Sequence, residues 1–297
     1  MANLYGNTTR QFSTPYLTVA EYKQAPTAID YDNLVSASSD PTVQDAELAN
    51  VIARASSAMD VYCNQILGST TDIEQQRTRL RPDGMIAVHC KNFPIIELLS
   101  FAYGVTPNDL ITYTDPSQGW IEDQSIILPY STINTSYSSQ GPLQFGMPAT
   151  PRSPVFCRYT YVNGYPTTLL AASSSASATT LQLSNTIGII AGTQMTIYDG
   201  SKTENVTVNT VTDATHVTLT VGTLYAHSSG VSISALPPAV KEAAILMTTA
   251  FLKVRGDNSM VMDVLSSPTR MGGHDTQKIS SDMGLAKELL KPFRRIR

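Results

Sequence analysis

The sequence predicts an α+β protein: a small helical core with a β-hairpin and strands, an inserted small antiparallel all-β domain, and an extended C-terminal arm. Two segments place apolar residues at three- and four-residue steps, the spacing of one helix face. Others alternate apolar with polar residues between turn signals, as half-buried strands do. From 167 to 235 the composition shifts abruptly, with Asp199, Lys202, Glu204 and Asp213 the only acidic or basic residues besides histidine, and with Thr, Val and Ser dominant. The expected divisions are 1–166 for the first part of the core, 167–235 for the inserted domain, 236–256 for a closing helix and 257–297 for the arm.

The first helical signal is Thr18 followed three residues later by Glu21, a capping box that Pro26 closes. Asp40-Pro41 supplies an N-cap carboxylate and a proline at the first helical position, and Gly68 offers a left-handed cap, so the spacing predicts a helix over 41–67. Leu48, Ile52, Ala55, Met59, Tyr62 and Ile66 form its apolar stripe. Arg77 to Arg81 and Met85 to Cys90 flank Pro82-Asp83-Gly84 and read as a hairpin, with further strands at Ile95 to Tyr103, Ile126 to Leu128 and Val155 to Val162. Ser131 to Pro154 reads as a loop or arm.

Within 167–235, Met195 and Ile197, Val206 and Val208, and Val217 and Leu219 alternate with polar residues, predicting five or six strands. The serine run at 173–177 reads as a flexible link or loose first turn. Leu236-Pro237-Pro238 then opens a helix whose stripe of Val240, Ala244, Met247, Phe251 and Val254 should pack on the 41–67 helix. A short helix is expected near Asp282 to Leu290, ahead of a basic end.

Composition excludes several function classes. The chain has 297 residues, 15% charged, with a net charge of −4, so it does not grip nucleic acid over its whole surface. Residues 1–240 hold 10 Lys and Arg against 18 Asp and Glu, whereas 241–297 hold 10 against 6. Three scattered cysteines make no disulfide framework, and a reducing compartment is the default. No apolar run approaches the ~20 residues of a membrane span. The four histidines stand far apart, no phosphate-loop or nucleophile-elbow motif occurs, and neither a metal, a cofactor nor an enzymatic activity is expected.

Order and short motifs together carry a resemblance. Helix, hairpin and strands lead to Arg158-Tyr159-Thr160-Tyr161-Val162-Asn163-Gly164-Tyr165-Pro166, then a proline-started helix with Val240-Lys241-Glu242-Ala243-Ala244-Ile245-Leu246, and a Leu289-Leu290-Lys291-Pro292-Phe293-Arg294 end. Over roughly 15–165 and 237–297 this resembles the head-to-tail adaptor (connector) proteins of long-tailed bacteriophages. The resemblance implies a virion protein of the neck, made in the host bacterial cytoplasm. It would form a ring with neighbouring copies, expected as a dodecamer, beneath the portal protein. The ring would extend a channel for double-stranded DNA without sequence-specific binding and present a platform for the next neck or tail protein. The β-domain at 167–235 departs from the family pattern.

In the tail, Leu285, Leu289, Leu290, Phe293 and Ile296 recur at three- and four-residue steps and want a groove. On the adaptor resemblance that groove lies on the portal. Leu285, Leu289, Leu290, Pro292, Phe293, Arg294, Arg295, Ile296 and Arg297 are then the docking residues, the arginines meeting acidic groups or DNA phosphates. Two other classes remain: a carbohydrate- or receptor-binding virion module using the inserted domain, with Tyr198 and Tyr225 as its aromatics, and a small hydrolase with a scattered site.

Overall fold

The computed structural model describes residues 15–27, 29, 31, 34–35, 37–129, 154–253 and 274–295. They fall into two compact units, one within 70–164 and one combining 12–69 with 165–297. The fold is α+β, with helices and several antiparallel sheets.

The 70–164 unit is all-β. Its strands are β1 (Thr70–Arg79), β2 (Met85–His89), β3 (Ile95–Thr106), β4 (Asp109–Thr112), β5 (Trp120–Glu122), β6 (Ser125–Pro129) and β7 (Pro154–Asn163). One sheet has the order β1-β7-β3-β4 and the other β2-β6-β5. The Pro82-Asp83-Gly84 turn forms, with Gly84 at φ +79° and its N–H donating to Arg81 O. The expected hairpin does not continue from it. After a bridge between Leu80 and Ile86 its strands part, because β1 pairs along ten positions with β7 while β2 pairs with β6. Ile86, Val88, Phe101, Ile126, Leu128, Val155 and Cys157 fill the core. The segment expected as a loop or arm, 131–154, lies outside the described residues up to 153.

The second unit begins with α1 (Val19–Gln24), opened by the capping box: Glu21 N donates to Thr18 Oγ1 at 3.1 Å and Thr18 N to Glu21 Oε2 at 2.6 Å. Helix α2 (Pro41–Cys63) is capped by Asp40, whose Oδ1 accepts from Thr42 N. It ends a turn earlier than expected. Asn64, at φ 56°, takes the left-handed cap assigned to Gly68, and the N–H groups of Asn64 and Gln65 return to Val61 O and Asp60 O. Leu48, Ile52, Ala55 and Met59 are buried against Val240, Ala244 and Met247 of α3 (Pro238–Lys253), as their spacing requires.

The six strands between these helices are β8 (Thr167–Leu169), β9 (Thr180–Gln182), β10 (Gln194–Tyr198), β11 (Glu204–Val211), β12 (His216–Leu219) and β13 (Ser232–Ser234). They make one antiparallel sheet, β8-β13-β10-β11-β12-β9, around its own cluster of Leu181, Leu183, Ile197, Val217 and Ile233. The serine run is not loose. Ser174 and His227 exchange two main-chain hydrogen bonds, and Ser177 N donates to Thr223 O at 2.6 Å.

The chain end differs most from expectation. The short helix expected near Asp282 to Leu290 forms, as α4 (His274–Leu290), but in place of an extended arm it packs on α3 and a 3-10 turn at Lys291–Phe293 follows it; residues 257–273 of the expected arm lie outside the described residues. Ala286 and Leu290 are fully buried in the α2–α3 core, and Lys253 Nζ meets Asp282 Oδ2 at 2.5 Å. Of the apolar steps that wanted a groove, Leu289, Leu290 and Phe293 find it on the chain's own core, whereas Leu285 faces solvent.

Candidate docking surface

The C-terminal segment and the end of α2 form one hydrogen-bonded junction. Arg295 N donates to Cys63 O at 2.9 Å, Asn64 Nδ2 to Arg295 O at 3.2 Å and Gln65 Nε2 to Phe293 O at 3.0 Å. The left-handed turn at Asn64 makes this possible, since it aims two side-chain amides past the helix end. Beneath it, the Tyr16 hydroxyl donates to Asp60 Oδ1 and accepts from Leu67 N and Gly68 N. Burial, reinforced by the Asp60 charge, pushes the Tyr16 phenol well above its ordinary range. Burial also raises the Cys63 thiol to about 12, so it stays a protonated core group.

The expected docking residues divide into two sets. Leu290 is buried, Leu289 packs partly buried on the core, and the Phe293 ring meets Tyr165 edge-on at 6.1 Å. These three are internal anchors rather than a free apolar face. On the solvent side stand Leu285, 53% exposed, then Pro292 and Arg294, whose guanidinium lies 5.3 Å from the Tyr62 ring centre. Arg295 is half-buried. Lys291 pairs with Glu288 at 2.7 Å, and that hydrogen bond raises its ammonium pKa. Ile296 and Arg297 lie outside the described residues. The exposed part is basic, with Lys287, Lys291 and Arg294 against Glu288.

Two buried polar networks escaped the sequence reading. In the 70–164 unit, Glu74 accepts from Tyr161 OH at 2.6 Å, Tyr159 OH at 3.1 Å and Lys91 N at 3.1 Å, while Asp72 Oδ2 accepts from Asn92 and Asn163. Burial and the Glu74 charge hold both phenols protonated. In the six-stranded sheet the buried His227 ring lies between Asp199, 3.0 Å from Nδ1, and Glu204, 2.7 Å from Nε2. Glu204 also accepts from Leu224 N and Tyr225 N, fixing the β12–β13 loop. Its inward aim was legible, because Glu204 shares the alternation of the buried Val206 and Val208. Both networks position backbone; in the first, the buried Asp72 Oδ1 has no hydrogen-bond partner among the described residues, while Asp72 Oδ2 and both Glu74 oxygens are engaged.

A shallow cleft of about 550 Å³ lies beside β2 and β6, lined by Arg81, His89, Glu122, Asp123 and Ser125 among others. Ser125 Oγ lies 3.3 Å from His89 Nδ1. Among the described residues no carboxylate hydrogen-bonds the other ring nitrogen, the orienting contact that a nucleophilic triad uses. Among the described residues no group of three or more His, Cys, Asp or Glu is placed to hold a metal ion, and no helix is long and apolar enough to cross a membrane. No family model, curated protein or solved structure matches the chain.

Proposed function

We propose that this chain is a structural virion protein, a head-to-tail adaptor that joins neighbouring copies in a ring under a phage portal. The ring extends the DNA channel and offers a platform to the next neck or tail protein. The observation that carries the reading is the fold-back of the Leu-Leu-x-Pro-Phe-Arg end onto the α2 terminus. It gives the family-like motif a defined surface, with Leu289, Leu290 and Phe293 as internal supports and Leu285, Pro292 and Arg294 facing out. A rigid support presents contact residues at lower ordering cost than a free tail. Co-sedimentation with DNA-filled, portal-bearing heads tests it. Wild-type chain should pellet with the heads and Arg294→Glu should pellet less; wild-type chain remaining in the supernatant would overturn the reading.

A second reading has one observation in its favour. The β12–β13 loop holds Val221 and Leu224 more than 70% exposed, with Tyr225 beside them, on a backbone fixed by Glu204 and by the buried Thr223. A rigid apolar tip of this kind suits a receptor-binding module of the virion. Binding of the chain to host-cell envelopes, lost in Leu224→Asp, would favour it over the adaptor.

A further inference from the structure

The three-stranded sheet β2-β6-β5 turns one face to the core through Ile86, Val88, Ile126 and Leu128. Strand alternation sends their neighbours the other way, in two rows that cross all three strands. Ala87, Ile127 and Trp120 make an apolar row, and His89, Ser125 and Glu122 make a polar row beside it. The shallow cleft of about 550 Å³ lies on this face, with Arg81 and the turn residues Asp123 and Gln124 also in its lining. Trp120, the one tryptophan of the chain, is 45% exposed and stands opposite the buried Ile127 that lines the cleft. The 3.3 Å contact of Ser125 Oγ with His89 Nδ1 joins two members of the polar row across their strands, so they are placed before any ligand arrives.

The lining selects by charge and by hydrogen-bond type. Glu122 and Asp123 oppose an anion, and a bare cation would meet the Arg81 guanidinium and leave the apolar row unused. Arg81 only donates hydrogen bonds, the two carboxylates only accept, and Ser125 and Gln124 do both. A neutral ligand whose groups both donate and accept can engage every one of them, and the hydroxyl is such a group. The apolar row adds a second requirement, since small-molecule sites fix orientation with a few polar groups beside apolar and aromatic walls. A pyranose ring meets both, with C–H bonds on its face and hydroxyls round its rim. The two rows stand about 7 Å apart along the strands, close enough for one ring to touch both. Tyr198, expected as an aromatic for carbohydrate in the 167–235 domain, is instead half-buried with Lys241 Nζ 4.2 Å from its ring centre.

We infer that the outward face of β2-β6-β5 binds a neutral saccharide, the ring face on Trp120 and Ile127 and the hydroxyls on Glu122, Ser125 and His89. The inference goes beyond ring assembly and portal docking and stands without them, since free sugars are the probe.

The emission of Trp120 reports on this face alone, because the full chain holds no other tryptophan. Titration with maltotriose, cellotriose and triacetylchitotriose, neutral sugars of different linkage and substitution, should give a saturable blue shift with at least one, at a dissociation constant on the order of 1 mM. Glu122→Gln should weaken that binding about tenfold with an unchanged melting curve, because it exchanges a charged acceptor for a neutral one. Saturation-transfer NMR should show sugar contact retained in Trp120→Phe and lost in Trp120→Ala. Emission that no trisaccharide moves would overturn the inference, as would an equal response to adenosine or an unchanged affinity in Glu122→Gln. Leu224→Asp, in the β12–β13 loop, should titrate as the wild type does; loss of sugar binding there would place the ligand on that loop and overturn the inference too. Portal addition and envelope binding are measured separately, so failure here leaves both earlier readings standing.

Discussion

The main-chain N–H of Arg295 donates to the carbonyl of Cys63 at 2.9 Å, latching the C-terminal segment to the end of α2. The latch converts a predicted docking arm into part of the fold. A truncation at 285 would therefore remove core as well as surface, since Leu290 and Ala286 are fully buried. Leu290→Ala should cost about 2–5 kcal/mol of stability, read from the urea midpoint. A midpoint equal to that of the wild type would mean that the helix end is not packed as described.

Leu285 offers the opposite case, because it sits on the same helix but faces solvent. Leu285→Asp should change stability by less than about 0.5 kcal/mol, while reducing co-sedimentation with portal-bearing heads. Loss of stability and of addition together would place Leu285 in the core instead.

The α2–α3 contact makes a harsher prediction. Met247→Asp or Ile52→Asp puts an unpaired carboxylate among apolar neighbours, a change that costs more than most single domains can absorb. Both variants should be insoluble or lack a cooperative thermal transition. A soluble, cooperatively melting variant would argue against this core.

Lys241 and Glu21 form a buried ion pair at 2.6 Å, with Ser232 and the Tyr198 ring completing the lysine's surroundings. Burial lowers the Lys241 pKa against the opposing pull of Glu21. Removing either partner should cost about 3–5 kcal/mol, because it strands a buried charge. Lys241→Met with Glu21→Gln should cost clearly less than the sum of the two single changes. Strict additivity in a double-mutant cycle would show that the pair does not interact.

Acid sensitivity is expected in the six-stranded sheet. The Thr215 main-chain N–H, then its hydroxyl and the His216 ring, hold Asp213 down from its usual 3.8 to about 2. A carboxylate depressed in the folded state stabilises above its unfolded pKa and loses that contribution as pH falls through the folded one. Glu204 is also lowered; burial opposes the shift, and the Leu224 N–H, His227 and the Tyr225 N–H outweigh it. Between about pH 4 and pH 2 the melting temperature should thus fall more steeply in wild type than in Asp213→Asn. Parallel curves would contradict the assignment.

Local chemistry was the legible part of the sequence. The Thr18–Glu21 box, the Asp40 cap and the stripes on α2 as far as Tyr62 and on α3 as far as Phe251 depend on neighbours within a turn or two and formed where their patterns lay; Ile66 falls past the end of α2, and Val254 lies outside the described residues. Partner choice at long range was less legible. The amphipathic tail announced that it needed a groove, but its spacing could not say whose. Likewise, Arg77 to Arg81 looked like half of a hairpin, whereas β1 starts at Thr70 and finds β7. The clue lay in Asp72 and Glu74, which alternate on the buried face and needed the donors that Tyr159, Tyr161 and Asn163 supply.

The adaptor reading meets its most direct test in the mass of isolated portal rings measured with and without saturating chain. For a dodecamer the account predicts a discrete gain of about 385 kDa, twelve copies of 32.1 kDa, with no partly filled series at saturation. Portal rings of unchanged mass under those conditions would contradict it.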